Sequence, residues 1–137
     1  MKTVTKDELN KLTYQVVGAA IDVHKQLGPG LLEKVYHKYM IHELKLRGIP
    51  FTSEKSVRVG YKGLELDTDL RYDLLVDEIL VVELKTVEEF APIHTAQLLT
   101  YMKLLNVPKG ILLNFYCFNL YEEGRKTLVN KLFAQLE

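Results

Sequence analysis

A single cysteine, Cys117, is all that this chain of 137 residues offers to sulfur chemistry. One thiol excludes an internal disulfide, and without a Cys-x-x-Cys there is no case for structural zinc; Cys117 reads as filling in a buried strand. The histidines His24, His37, His42 and His94 lack zinc-ligand spacing, and His37 with His42, five positions apart, suits surface exposure better than a shared metal. Long apolar runs are missing too. No stretch approaches the roughly 18 residues of a transmembrane helix, and no signal-peptide pattern or low-complexity linker points away from the cytoplasm. Gly28-Pro29-Gly30 is a helix-to-helix corner, unlike a phosphate-cradling loop or a dinucleotide fingerprint, and no serine sits in a nucleophile elbow. Finally, 18 basic and 18 acidic residues leave no net charge, so a polyanion cannot be gripped by a global basic excess.

What remains is patterning. The length fits one domain, residues 1–137, burying about two-thirds of its unfolded surface. A first helix opens on the capping-box pattern Thr5-Lys6-Asp7-Glu8 and carries Leu9, Leu12, Val16, Val17, Ala20 and Leu27 at helical spacing before Gly28-Pro29. A second is expected from about Gly30 to Arg47, with Leu32, Val35, Tyr36, Tyr39, Met40 and Leu44 as its apolar stripe and Glu33 one position off it. Glu33 is then either a first-turn glutamate favoured by the helix dipole or a group facing a cleft beside the sheet. Alternation around Val57, Val59 and Tyr61 with a turn at Lys62-Gly63 predicts a hairpin, so that three or four antiparallel strands come first. Gly110 to Phe118 reads as a buried strand beside the Glu83 strand, and Arg125 to Leu136 as a closing strand, a helix, or one followed by the other. The order is α-α-β-β-β-β-α-β, an α/β (α+β) arrangement.

The densest stretch runs from Arg71 to Lys85, where two apolar strand-like runs carry Asp73, Glu83 and Lys85. Ionised groups in such places cost several kcal/mol unless paired or bound to metal. Side chains alternate along a strand, so Glu83 and Lys85 share a face and Leu84 points away. A two-residue loop at Asp77-Glu78 would set Asp73 opposite Val82, across the sheet from Glu83. A three-residue loop, Asp77 to Ile79, sets Asp73 opposite Glu83 and Arg71 opposite Lys85, and it stacks Leu75 on Val81, Leu74 on Val82 and Val76 on Leu80. The second register, or a bulge with the same effect, is expected because it leaves one face wholly apolar. Two carboxylates so arranged can hold a hard cation such as Mg2+ or Mn2+, with the lysine aimed at a water or a phosphoryl group. The competing reading is a solvated strand end with an ordinary ion pair.

A helix follows from Phe90 to Leu105, with Pro92 in its first turn and Asn106-Val107-Pro108 as its stop. Gln97 and Tyr101 share a face, and His94 lies a turn back on the same stripe. Such an amide and phenol can bind a phosphate or position Lys85; alternatively Tyr101 fills the core and Gln97 caps a buried backbone group.

In order and type, Asp73, Glu83-Leu84-Lys85 and Gln97-x-x-x-Tyr101 resemble the PD-(D/E)xK nuclease superfamily, in particular its RecB-like and lambda-exonuclease-like branches. Gly30-Leu31-Leu32-Glu33-Lys34-Val35-Tyr36 resembles the signature of the GxxExxY proteins, as do the strings 23–30 and 94–101, so the likeness runs from about Leu12 to Leu128. The resemblance implies a restriction-endonuclease-like core with a mixed central sheet flanked by helices. It implies Asp73, Glu83 and Glu33 as ligands of Mg2+ or Mn2+, Lys85 as the catalytic lysine, and Gln97 and Tyr101 as the supporting pair; Arg71, by its charge, and His94, by its place on the helix stripe, are expected beside them as substrate contacts. Tyr72 stands where the family has proline. The substrate implied is nucleic acid, DNA first, without a membrane. The missing net charge then asks for a local patch from Lys55, Arg58, Lys62, Arg71 and Lys103, a homo-oligomer, a protein partner, or a short or single-stranded substrate. A nuclease-like binding module or accessory subunit without turnover is the alternative function.

Overall fold

The computed structural model describes residues 4–137. Helix α1 (Lys6–Leu27) opens on the expected capping box. The Thr5 side chain accepts from the Glu8 amide, and the Glu8 carboxylate accepts from the Thr5 amide. The helix stops at Gly28, whose φ of 69° costs glycine little. Helix α2 (Glu33–Leu46) starts later than the pattern suggested. Gly30, at φ 98°, turns the chain, Leu31 and Leu32 stay outside, and Glu33 becomes the first helical residue. Its inward stripe is narrower than expected: Tyr36, Met40 and Leu44 are enclosed, whereas Leu32 and Tyr39 are exposed. His37, expected at the surface, is buried, because it lies next to Tyr36 on the face that meets the sheet.

Strands β1 (Phe51–Ser53), β2 (Ser56–Tyr61), β3 (Leu64–Arg71), β4 (Leu74–Val76) and β5 (Leu80–Lys85) follow; then come α3 (Pro92–Leu105), β6 (Lys109–Asn114), the short helix α4 (Leu120–Glu123), β7 (Arg125–Val129) and the short helix α5 (Lys131–Ala134). The central sheet has the order β1-β4-β5-β6-β7. It is mixed: β5 and β6 run parallel and the other neighbours antiparallel, and the parallel pair needs a crossover, which α3 supplies. The hairpin turning at Lys62-Gly63 forms, but as a separate two-stranded ribbon of β2 and β3. Antiparallel strands do come first, as expected, but β2 and β3 stand apart from the central sheet. The physical reason is burial, since β3 is almost wholly exposed and offers no continuous face for the core.

The site hairpin has the predicted register, with Leu74 opposite Val82, Leu75 opposite Val81 and Val76 opposite Leu80. Its loop is Asp77 to Ile79, with Asp77 and Glu78 at positive φ of 50° and 63°. Arg71, however, pairs with Ser56 in the ribbon and not with Lys85. The chain leaves one sheet for the other at Tyr72–Asp73, so the ladder cannot extend back to Arg71.

Helices α1 and α2 cover one face of the sheet against Leu74, Leu80, Val82, Leu84, Ile111 and Leu113. Helix α3 covers the other face through Leu98, Tyr101 and Met102, against Val81 and Leu112. That seam is tight: a Cβ on Gly110 would stand 2.8 Å from Leu98 Cδ1 and 2.9 Å from Met102 Sδ. Strand β6 ends at Asn114, so Cys117 lies in the loop beyond it and is only half-buried, not strand filling. The ambiguous C-terminal stretch resolves as a strand followed by a short helix.

Candidate functional site

The ribbon strand β3 and the sheet strand β4 are two halves of one chain direction, broken where Tyr72 and Asp73 step across. At that step side chains take over the ladder. The Asp73 amide donates to Glu83 Oε2 at 2.7 Å, and the Leu84 amide donates to Asp73 Oδ2 at 2.7 Å. Each carboxylate thus fixes the other's backbone, and each keeps a second oxygen for another purpose.

Both acids are held away from water. Glu83 is 3% exposed, and burial first, then the neighbouring Asp73 charge, push its pKa up to about 8. The hydrogen bond from Asp73 and the charge of Lys85 offset this in part. Asp73 also lies above the ordinary carboxylate range, again through burial, with the Leu84 amide, His37 and Lys85 pulling the other way. Two acids that resist ionisation side by side form a site that a cation would relieve.

Lys85 stands on the Glu83 face of β5, half-buried. Among the described residues its side chain makes no hydrogen bond and no close ion pair, yet its charge acts on Glu33, Asp73 and Glu83 alike. Glu33, at the first turn of α2, is largely open to solvent, but partial burial and the Asp73 charge still raise its pKa. The start of α2 and the end of the hairpin therefore lie within electrostatic reach of each other.

On α3 the Gln97–Tyr101 pair meets this place from the sheet face that Val81 and Glu83 share. Tyr101 is 3% exposed; its hydroxyl donates to the Arg71 carbonyl at 3.1 Å, and it is hydrogen-bonded by Gln97. Burial, then the Glu83 and Asp73 charges, raise its pKa. The core reading of this residue holds, and Tyr101 also lies in the field of the two acids. It ties down the carbonyl two residues before Asp73. Tyr101→Phe is expected to lower stability by about 0.5–1.5 kcal/mol, the net worth of one intramolecular hydrogen bond; an unchanged urea midpoint would rule out the tie.

His94 is spent on its own helix, where Nδ1 accepts from the Ala91 amide at 3.0 Å. Arg71 is exposed at the end of β3, and its guanidinium donates to the Glu54 carbonyl at 3.5 Å. Arg58 is occupied by Glu65 and Asp67 on the ribbon, which removes one member from the candidate basic patch.

His37 was missed by sequence reasoning. Its Nδ1 lies 3.0 Å from Glu54 Oε1, its Nε2 is buried without a partner, and its charge, when protonated, acts on Asp73 and Glu33. The available clue was spacing: His37 lies four positions after Glu33, one turn along the same helix face.

Among the described residues no cluster of three or more His, Cys, Asp or Glu side chains is arranged to hold a metal ion. Mg2+ does not require one, since it commonly binds through one or two carboxylates and fills its other positions with water and phosphate oxygens. The spare oxygens of Asp73 and Glu83 are donors of that kind.

A family model described as the PD-(D/E)XK nuclease superfamily matches residues 10–127. No curated protein and no solved structure matches the chain.

Proposed function

Since the chain belongs to the PD-(D/E)XK nuclease superfamily, we propose that it is a divalent-metal-dependent nuclease of the GxxExxY type, one domain acting on DNA in the cytoplasm. Nucleic acid is the substrate class that the family implies. Among the described residues no helix is long and apolar enough to cross a membrane. The observation that carries the reading is the pair of acids, Glu83 buried and Asp73 half-buried, each locked to the other's backbone and both within the field of Lys85.

In this reading Asp73 and Glu83 hold Mg2+ or Mn2+, and Glu33 contributes from α2. The bound cation supplies Lewis-acid polarisation of the phosphodiester and a water acidic enough to attack it. Lys85 orients the attacking water or stabilises charge developing on the phosphoryl oxygens. Tyr101 and Gln97 act one step back, keeping the chain at Arg71–Asp73 in place, and Arg71 meets the substrate backbone from the ribbon. His94 serves the same end through the start of α3.

Purified protein incubated with labelled DNA and RNA, single- and double-stranded, is expected to cut in Mg2+ or Mn2+ and not in EDTA. Saturable binding with no product under any metal would point to the binding module instead.

A further inference from the structure

The loop after β6 carries two exposed aromatic rings that neither the core nor the acidic site uses: Phe118 is 91% exposed and Tyr116 48%. Large apolar side chains so open to water cost solvation free energy and mark contact surfaces when they cluster. They do cluster. Tyr116, Cys117 and Phe118 form one wall of a recess of about 210 Å3 whose other wall is Pro29 and Gly30. Leu31 and Leu32, 40% and 66% exposed, continue that wall toward Glu33.

The recess is held in shape from below. His24 Nε2 is hydrogen-bonded to the Cys117 carbonyl at 2.8 Å, the Tyr36 hydroxyl donates to the Gly28 carbonyl and lies 3.3 Å from the Leu31 amide, and Tyr36 stacks on Phe115. Both walls also lead directly into the site. Gly30 precedes Glu33 on the turn into α2, while the Phe115 amide donates to the Lys85 carbonyl at 2.9 Å and Asn114 pairs with Lys85 across the sheet.

Resting on the nuclease reading above, we propose that this recess is a base-stacking shelf and that the substrate is single-stranded, with an unpaired base seated against Phe118 and Tyr116 beside the phosphodiester to be cut. Three observations select that occupant. The recess is smaller than the roughly 300 Å3 and above of pockets that enclose whole small-molecule ligands, so it takes a planar ring and not a complete cofactor. Its two walls adjoin, along the chain and through the Phe115–Lys85 backbone bond, Glu33 and Lys85, whose charges act on the acid pair. The chain has no net charge with which to grip a duplex, whereas aromatic stacking provides sequence-tolerant affinity for bases that are not paired. Bases inside a duplex keep both π-faces covered by their neighbours and cannot use the shelf.

The test separates this proposal from the nuclease reading. Anisotropy in Mg2+ with the Lys85→Ala protein is measured on fluorescent single strands of DNA and RNA, on the matching blunt duplexes, and on strands carrying abasic positions. Single strands of at least one polymer are expected to bind more tightly than the duplex. Phe118→Ala and Tyr116→Ala, added to that protein, are expected to weaken single-strand binding about five- to 150-fold each, with abasic strands showing the same loss and duplex binding unmoved. Equal affinity for strand and duplex, or indifference to Phe118→Ala, overturns the shelf. So does a concentration-dependent dimer that the same substitution abolishes, which would assign the patch to a second copy of the chain. Cleavage by the unmodified protein is scored separately. Aromatic-dependent binding without cleavage supports the shelf and removes the nuclease, while cleavage that ignores both rings does the reverse.

Discussion

Lys85→Ala is expected to reduce cleavage by about 10²- to 10⁴-fold, mainly in kcat, the range lost with a general acid–base group or a preorganised charge at the transition state. The fold should not register the change. Lys85 is half-buried, and among the described residues its side chain makes no hydrogen bond or close ion pair, so the melting temperature is expected to move by no more than roughly 2 °C. What the site loses is, among the described residues, the one cation acting on Glu33, Asp73 and Glu83 together. Steady-state cleavage beside a thermal melt reads both halves. Undiminished kcat would remove Lys85 from the chemistry, and a collapsed melt would make it a structural counter-charge instead.

Glu83→Gln is expected to separate stability from activity in the opposite sense. The Glu83 carboxyl has an ordinary pKa of 4.5 and one of about 8 in the fold. Below pH 4.5 it is protonated in the folded and unfolded chain alike. Between those two values the unfolded chain gives up the proton while the folded chain retains it, so folding stability falls as pH rises through this window and levels off above about 8. At about 1.4 kcal/mol per pKa unit the decline amounts to several kcal/mol. Asp73, also raised, adds to it with the same sign. A glutamine keeps an oxygen to accept the Asp73 amide and carries no charge, so in EDTA the variant is expected to be the more stable protein near neutral pH and to lose most of the slope. It should also lose cleavage by at least about a hundredfold, since an amide is a poor ligand for a hard cation. For the unmodified chain, Mg2+ should stabilise most where the acids are forced to ionise. Urea midpoints taken across pH, with and without Mg2+, decide the matter: a flat metal-free profile, or a glutamine variant with the parental slope, would contradict the strain placed on this pair.

How much of this could be read from residues depends on which interactions each element uses. The hairpin register was legible because only one pairing puts Leu74, Val76, Leu80 and Val82 on a common apolar face, and that constraint is local. The start of α1 was legible for a similar reason, since Thr5 and Glu8 satisfy each other without help from the rest of the chain. The fate of Arg71 was not. Alternation carries no notice that a strand will leave one sheet for another, and the step at Tyr72–Asp73 depends on Tyr101, distant in sequence. His37 was hidden for a related reason: its neighbour Glu54 comes from the bend between β1 and β2, which only the assembled sheet brings against α2. The separation of the ribbon from the central sheet was not legible, because a hairpin pattern says which strands pair and nothing about whether a third strand will join them.

The ribbon looks like something that could be trimmed. Its strands are exposed, its charges pair among themselves, and it lies outside the central sheet. Yet its second strand is also the lead-in to Asp73, clamped at Arg71 by the Tyr101 hydroxyl. Excising residues 54–71 would therefore take Val57 out of the core beneath α3 and also slacken the tether of an acid that the deletion never touches, costing the alignment of Asp73 with Glu83. The ribbon is a mooring line, and redesign of this scaffold has to treat its length and attachment as part of the site.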